Sequence, residues 1–342
     1  MEYHLYTQFP LEREREWNQL LTKSASHVPF LRFEYLRAWW DTRGGGEWPQ
    51  ECSLAIVAAQ QNGALCGIAP LFYTPDHQGQ PRLMLLGSIE ISDYLDLIAP
   101  IDLLPEFVDG LLAFLKRADL PPWHALDLYN LVDDSPSLPA LKAAAEHHGL
   151  NYEQEKLQHT PCIPLPGDWE VYLAGIDKKQ RHEIRRKMRR AENADAPVRW
   201  YIVRDPETLE AEIDAFFGLM KQDVDKARFL NAKMKKTMGE VMRCAFEDGC
   251  LQLAFLEVGG QKAAGYVSFD YQNRIWVYNS GLNRDFSEYS PGWVLLGYLL
   301  QWANEQGREE FDFMRGDEDY KYRFGAIDRS VVRACLLRQG SK

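Results

Sequence analysis

The chain has 342 residues, a length that suits two domains. Hydrophobic residues make up 46% and charged residues 26% of it, an ordinary balance for a globular protein with a sizeable core. The 39 basic and 50 acidic residues give a net charge of −11, which excludes a general polyanion binder and restricts any nucleic-acid site to a local patch.

The cysteines and the N-terminus favour a reducing compartment. The six cysteines include no CxxC pair, and no histidine lies beside them at metal-ligand spacing, so we predict reduced core thiols and no metal. The opening segment MEYHLYTQFPLERERE lacks the apolar stretch of a signal peptide. No apolar run is long enough to cross a bilayer, so we expect a cytoplasmic protein without a membrane span.

The first half combines helices with antiparallel strands. Helices are predicted at 14–24 and 33–41, and a glycine loop follows at 44–46. Apolar runs at 53–60 and 64–73 flank Asn62-Gly63, the strongest short signal for a hairpin. The next predicted elements are strands at 83–87 and 94–98, a helix at 104–118, a strand at 125–128 and a helix at 137–148 that ends at Gly149.

The second half follows a similar order after a proline-rich stretch at 160–169, which predicts a junction between domains 1–160 and 161–342. Helical regions are predicted at 169–190, 206–221 and 231–248, a hairpin at 251–258 and 262–271, a strand at 274–281, a helix at 293–306, a strand at 310–314, a short helix at 317–324 and a strand at 330–338. The repeated order indicates duplication of an α+β domain whose mixed, mainly antiparallel sheet is flanked by helices.

Several segments resemble CelD-type proteins of the GNAT superfamily. The clearest is FDFMRGDEDYKYRFGA at 311–326, and PFLRFEYLRAWW, GIAPLFY, SDYLDLI and DKKQRHEIRRKMRRAE resemble other family segments in the family's order. The resemblance implies two tandem GNAT-like domains, similar to the Fem peptidyltransferases. It also implies acyltransferase activity, often associated with polysaccharide biosynthesis, with the cofactor site in the C-terminal domain.

The same resemblance places a coenzyme A site at the start of the helix predicted at 293–306. Free N–H groups and the positive end of the helix dipole favour phosphate there, with Ser290 as a candidate N-cap and Gly292 and Trp293 beside it. Tyr278 and Asn279 are the candidates to line the strand edge along which the pantetheine arm lies in GNAT enzymes. Arg315 is a further candidate contact. The implied co-substrate is acetyl-CoA or another acyl-CoA, with no metal.

Candidate catalytic residues crowd the segment that follows Arg315-Gly316. We predict Asp317 as a base or amine-orienting group, which requires burial to raise the pKa of its carboxyl. Lys321 or Tyr320 would face the thiolate. The alternative is a solvated helix in which Asp317 pairs with Lys321 one turn later.

Three residues are candidates for acceptor binding. Asp93 and Asp96 lie on one predicted strand, where one carboxylate would face a cleft and bind a cationic or hydroxylated acceptor. Arg185 lies in a window, 178–190, in which eight basic residues stand against Glu183. This window would bind a coenzyme phosphate, a nucleotide-linked sugar, a polyprenyl phosphate or tRNA, or else form a solvated helix face.

Three functions remain open from the sequence. The leading one is transfer of an acyl group, by preference acetyl, from acyl-CoA to an amine or hydroxyl of a small-molecule or glycan-precursor acceptor. The second is Fem-like transfer from aminoacyl-tRNA, which the basic window favours and the net charge disfavours. The third is a non-catalytic member of a polysaccharide assembly complex, in which the pocket would be closed.

Overall fold

The computed structural model describes residues 1–42 and 51–338, so the glycine loop predicted at 44–46 lies outside the described residues. The chain divides into two compact units. The first unit comprises Met1–Gln158 together with the C-terminal residues from Ser330, and the second comprises His159–Arg329. The predicted boundary at 160/161 is close to this division, but the last strand belongs to the first unit and not to the C-terminal half.

The elements of the first 159 residues are, in chain order, β1 (Glu2–Tyr6), α1 (Glu14–Leu21), α2 (Phe33–Thr42), β2 (Ser53–Gln61), β3 (Ala64–Pro75), β4 (Pro81–Leu85), α3 (Leu104–Leu115), β5 (Ala125–Val132), α4 (Ser137–His147) and β6 (Leu150–His159). Asn62 and Gly63 both take positive φ, at 53° and 80°, as the predicted hairpin turn requires. The strand predicted at 94–98 is reduced to a single bridge between Ile98 and Ile68.

The remaining elements are β7 (Cys162–Pro164), α5 (Trp169–Gly175), α6 (Lys178–Glu192), β8 (Val198–Ile202), α7 (Leu209–Met220), α8 (Val224–Phe229), α9 (Ala232–Glu247), β9 (Leu251–Val258), β10 (Gln261–Tyr271), β11 (Arg274–Leu282), α10 (Pro291–Glu305), β12 (Glu310–Asp312), α11 (Asp319–Arg323) and β13 (Ser330–Arg338). The single helical region predicted at 169–190 is two helices. Ile176 is extended, and the Asp177 side chain caps α6 by accepting from the amides of Lys179 and Gln180.

Each unit holds one mainly antiparallel sheet, as the predicted fold class requires. Among the described residues, the first sheet has the order β1-β2-β3-β4-β5-β13-β6, in which β4 and β5 are parallel. In the second unit the described strands have the order β7-β12-β11-β10-β9-β8, in which β11 and β12 are parallel. Within residues 1–42 and 51–338, the helices are too short or too polar to cross a membrane.

The core of the second unit lies between its sheet and α10. Apolar side chains of β9, β10 and β11 pack against Val294, Leu295 and Leu299 of α10, all of which are fully buried. The predicted apolar stripe of α6, Ile184 and Met188, is buried in the same cluster. This packing fixes the N-terminus of α10 beside the end of β11.

Candidate functional site

The parallel pair β11–β12 separates near the end of the ladder. The two strands pair only from Arg274↔Glu310 to Trp276↔Asp312. After Asp312 the chain turns away, with Met314 at a φ of 54°. The Asp312 carboxylate holds this turn because it accepts from Met314 N at 2.6 Å and from Arg329 Nη2 at 2.6 Å. The continuing end of β11 therefore faces the start of α10.

A β-bulge changes which side chains of β11 face this opening. Val267 pairs with Asn279 and Ser268 pairs with Val277, so Tyr278 is the extra residue of β11. The Tyr278 ring lies against Phe269, with the ring centroids 5.7 Å apart. Residues Ser280 and Leu282, and not Tyr278 and Asn279, line the opening.

A cavity of about 310 Å³ occupies the opening. It is lined by β10, β11, the segment before α10, the first turns of α10, and α11; the lining residues are Tyr266, Ser280, Leu282, Ser287, Ser290, Pro291, Gly292, Trp293, Leu296 and Tyr320. Four predicted site residues therefore come together here, namely Ser290, Gly292, Trp293 and Tyr320. The closed pocket that a non-catalytic member requires is not present at this position.

The start of α10 differs in detail from the predicted cap. Ser290 occupies the N-cap position with left-handed φ and ψ of 51° and 51°, and its side chain makes no capping bond. Pro291 has no N–H, so the amides of Gly292 and Trp293 are the first-turn donors that remain outside the helical ladder. A Cβ at Gly292 would lie 2.7 Å from Leu282 Cδ2, so glycine lets Leu282 approach the helix here.

Trp293 forms an aromatic wall of the cavity. Its ring centroid lies 4.6 Å from that of Phe324, and Lys187 Nζ of α6 lies 4.2 Å above the ring. Trp293 Nε1 is buried and has no hydrogen-bond partner among the described residues. A cation and an unpaired donor thus lie close to the helix start.

Residues with hydroxyl groups line the cavity from different elements. Tyr266 and Ser280 are cross-strand partners in the β10–β11 ladder, and Tyr320 comes from α11. Burial raises the pKa of Tyr320 well above 10, and the neighbouring Tyr266 and the charge of Glu318 raise it further. Burial also raises the pKa of Tyr266. Both phenols are therefore protonated at neutral pH and can donate hydrogen bonds.

Lys226 is a residue that the sequence interpretation missed. Its Nζ donates to the Ser280 carbonyl oxygen at 2.5 Å and to Ser280 Oγ at 3.2 Å. Burial lowers the pKa of Lys226, while Asp223 and Glu318 oppose that shift. Because Ser280 Oγ accepts from Lys226, its own proton can be directed to the cavity. Nothing local in the DKARF segment distinguishes Lys226 from a surface lysine.

The predicted roles of Lys321 and Asp317 do not match their surroundings. Lys321 is 3% exposed, and its Nζ donates to the carbonyls of Arg315 at 3.0 Å and Gly316 at 2.9 Å and pairs with Glu318 at 2.8 Å. These contacts of Lys321 fix the loop that follows β12. Asp317 is exposed, so the burial that a base-like role requires is absent. The carbonyl of Arg315 accepts from Lys321, and Arg315 does not line the cavity.

The predicted acceptor residues lie elsewhere. Asp96 is fully buried in the first unit, where it accepts from Ser135 Oγ at 2.5 Å and from Leu97 N at 2.7 Å. Burial raises the pKa of its carboxyl, against the effect of these hydrogen bonds. Asp96 thus stabilises the interior of that unit and is not exposed to bind an acceptor. Asp93 is half-buried in the same segment.

Arg185 belongs to a second cavity in the second unit, of about 690 Å³. The lining residues come from α5, α6 and α10, namely Trp169, Glu170, His182, Arg185, Arg186, Met188, Arg189, Glu192 and Gln301. Arg185 pairs with Glu170, and Arg186 pairs with Glu183 at 2.8 Å. Part of the basic charge of α6 is therefore neutralised within the unit, and the remainder lines a basic groove with one aromatic wall.

Comparison with known proteins agrees with this architecture. Residues 178–322 match the family described as acetyltransferase (GNAT) domain. The chain has a Fem-like, tandem GNAT fold. The GNAT match runs from the start of α6 to Tyr322 in α11, and it includes every residue that lines the cavity at the start of α10.

Solved structures of this fold align over nearly the whole chain. FemX has a TM-score of 0.68 at 13% identity, covering 98% of this chain and 97% of that chain. A conserved protein of unknown function from Bacteroides thetaiotaomicron has a TM-score of 0.62 at 12% identity, covering 98% of this chain and 100% of that chain. L-PGS from Bacillus licheniformis has a TM-score of 0.58 at 13% identity, covering 94% of this chain and 90% of that chain. At these identities the likeness shows the fold alone. No curated protein sequence matches the chain significantly.

Proposed function

We propose that the chain is an acyltransferase that moves a short acyl group from acyl-CoA, by preference acetyl-CoA, to an amine or hydroxyl acceptor. The observation that carries the proposal is the cavity at the start of α10. It combines first-turn amides at a helix N-terminus with the hydroxyls of Tyr266, Ser280 and Tyr320. The match of residues 178–322 to a GNAT acetyltransferase domain supports the same reaction class.

The residues at the helix start fit an acyl-CoA carrier. The amides of Gly292 and Trp293 and the positive end of the α10 dipole favour phosphate oxygens. Lys187 adds a positive charge beside Trp293. When bound, the thioester supplies an already activated acyl group. A cavity of about 310 Å³ with apolar walls at Leu282 and Leu296 suits a short chain better than a long one.

The hydroxyl groups supply hydrogen-bond donors and a proton. Tyr320 holds its proton at the phenolic oxygen throughout the neutral range, since burial raises its pKa. It is placed to donate to negative charge that develops at the carbonyl oxygen or the departing sulfur. Ser280 of β11, whose hydroxyl accepts from Lys226, is a second donor. Glu318, and not Asp317, is the carboxylate whose charge raises the pKa of Tyr266 and of Tyr320.

Ligand-dependent thermal unfolding tests the donor. Acetyl-CoA at millimolar concentration is expected to raise the melting temperature, because it binds only the folded chain. Gly292→Val places a branched side chain against the cavity and is expected to abolish the shift. Gly218→Ala, at an open position of α7, is the control that keeps it. The absence of a shift with acetyl-CoA, with longer acyl-CoAs and with free coenzyme A would contradict the proposal.

Fem-like transfer from aminoacyl-tRNA is the second candidate, and the basic groove of α6 favours it. A phosphate backbone would contact Arg185, Arg186 and Arg189, beside an aromatic ring of Trp169. A glycan-precursor acceptor, and with it a role in polysaccharide biosynthesis, stays a prediction for either donor.

Gel-shift binding of aminoacyl-tRNA at low salt separates the two donors. Reversing Arg185, Arg186 and Arg189 to glutamate should abolish tRNA binding. Reversing the exposed Arg117, Lys142 and Lys156 changes the net charge equally and should preserve it. If both triple variants bind equally, or if the wild-type chain does not bind, the second candidate fails while the acyl-CoA proposal stands.

A further inference from the structure

Two histidines and one aspartate converge at one end of the α3–α4 pair in the first unit. Asp109 lies on α3, His147 is the last residue of α4, and His148 is its C-cap. Asp109 Oδ1 lies 2.6 Å from His147 Nδ1 and 3.0 Å from His148 Nε2. All three potential ligand atoms lie within 4.8 Å of one another.

The donor set is that of a transition-metal site. Imidazole nitrogen and carboxylate oxygen are the ligands that Zn²⁺ takes together with thiolate, at about 2.0–2.2 Å from the ion. Neighbouring ligands of a tetrahedral Zn²⁺ site are therefore about 3.3 Å apart. The two separations from Asp109 Oδ1, 2.6 and 3.0 Å, are within 1 Å of this value, and the two imidazole nitrogens lie within 4.8 Å of each other. The His147 side chain is 71% exposed and free to adjust.

Hydrogen bonds fix the main chain at His148 without the ion. His148 N donates to Ala144 O at 2.9 Å, and Lys116 Nζ donates to His148 O at 2.5 Å. Gly149 then turns the chain away with a φ of 64°.

We propose that Asp109, His147 and His148 form a binding site for a divalent transition-metal ion of the zinc class, which ties α3 to the end of α4. Three protein ligands leave a coordination position for water or for a fourth group. The site lies wholly within the first unit, and acyl transfer at the α10 cavity does not depend on it. The expectation of no metal rested on the spacing of cysteines and histidines along the sequence, whereas the ligands proposed here come from two helices.

Titration of the chelator-treated full chain with Zn²⁺ tests the site directly. One equivalent is expected to bind at neutral pH and to raise the melting temperature. Asp109→Asn, His147→Ala and His148→Ala are each expected to weaken binding at least tenfold, an approximate scale for loss of one ligand or its close support.

The His159–Asp328 pair supplies a matched control, because its Nδ1–Oδ2 distance of 2.7 Å is similar but it has a single imidazole. Asp328→Asn should therefore leave Zn²⁺ binding unchanged. Co²⁺ substitution separates this site from the cysteines, since nitrogen and oxygen ligands produce no thiolate charge-transfer band. The proposal is overturned if the wild-type chain binds no Zn²⁺. It is equally overturned if the three variants, confirmed as folded by circular dichroism, bind as the wild type does.

Discussion

Lys226 Nζ lies 2.5 Å from the carbonyl oxygen of Ser280 and 3.2 Å from its hydroxyl. This contact ties α8 to the end of β11 that lines the cavity. A lysine in such a buried position is costly when charged, because desolvation disfavours the ammonium form. The contact therefore gives the cavity a hydrogen-bond donor at Ser280 whose orientation depends on a residue outside the cavity wall.

Lys226→Met should change how stability depends on pH. Since burial lowers the native pKa of Lys226 below 10.5, the unfolded chain binds more protons between the two pKa values. This group's contribution to stability is therefore present above 10.5 and is lost as pH falls through the native pKa. Urea unfolding across the alkaline range should show that the free energy of unfolding of the variant rises relative to that of the wild type as pH falls. Lys235→Met, at a surface pair with Asp214, is the control; a difference independent of pH would refute this account.

Tyr320→Phe should lower the rate of acyl transfer without loss of stability. The substitution keeps the ring packed at Phe313 and removes only the hydroxyl. Loss of one donor to the transition state lowers kcat by about 10²–10³-fold and leaves KM nearly unchanged. The assay is thiol release from the acyl-CoA that raises the melting temperature, with an amine or hydroxyl compound present to accept the acyl group. Tyr322→Phe, on the same helix but bonded to Asp328, should retain full activity. Equal rates for both variants would remove Tyr320 from the site.

The sequence predicted elements well where the signal is local. Asn62-Gly63 placed a hairpin because both positions accept positive φ, and the Ser290-Pro291 start of α10 was within a few residues of the structure. The structure brings Ser290, Gly292, Trp293 and Tyr320 to one cavity, and the roles that the family resemblance implies for them stay predictions.

Features that depend on tertiary packing were not predicted. The bulge at Tyr278 exchanges the faces of β11, and no residue type announces it. Lys321 reads as an exposed helix residue, but the turn after β12 surrounds it with carbonyl groups. Asp96 sits in an ordinary polar run and is buried because the Ser135 segment covers it.

Gly281→Ala should destabilise the second unit. A Cβ at Gly281 would lie 2.7 Å from Met220 N and 2.8 Å from Leu219 C, so α7 would have to shift away from β11. Such overpacking costs about 1–3 kcal/mol. Gly218 lies on α7, and a Cβ added there would meet no atom within 4 Å. Gly218→Ala should therefore raise the free energy of unfolding by about 0.5–1 kcal/mol through helix propensity. Urea unfolding of both variants measures the difference, and a neutral Gly281→Ala would show that the strand and the helix are not in close contact.

Asp96 should show the stability pattern of a buried carboxyl. Its native pKa is raised above 3.8 by burial, so its contribution is present below 3.8 and is lost as pH rises through the native value. The amide of Asp96→Asn cannot ionise. The free energy of unfolding of this variant should therefore rise relative to that of the wild type as pH rises toward neutral. Asp96→Ala leaves the Ser135 and Leu97 donors unpaired and should cost about 1–3 kcal/mol. Exposed Asp134→Asn is the control, and a pH-independent difference for Asp96→Asn would contradict this account.

The return of β13 to the first sheet has a consequence for the order of events on the ribosome. Residues 159–329 emerge with every described strand of their own sheet, whereas the sheet that began with β1 still lacks the strand between β5 and β6. The N-terminal unit is therefore the last to be completed during translation. Until Ser330–Arg338 is synthesised, the apolar edge of β5 is open to wrong partners, and the nascent chain needs protection there from aggregation.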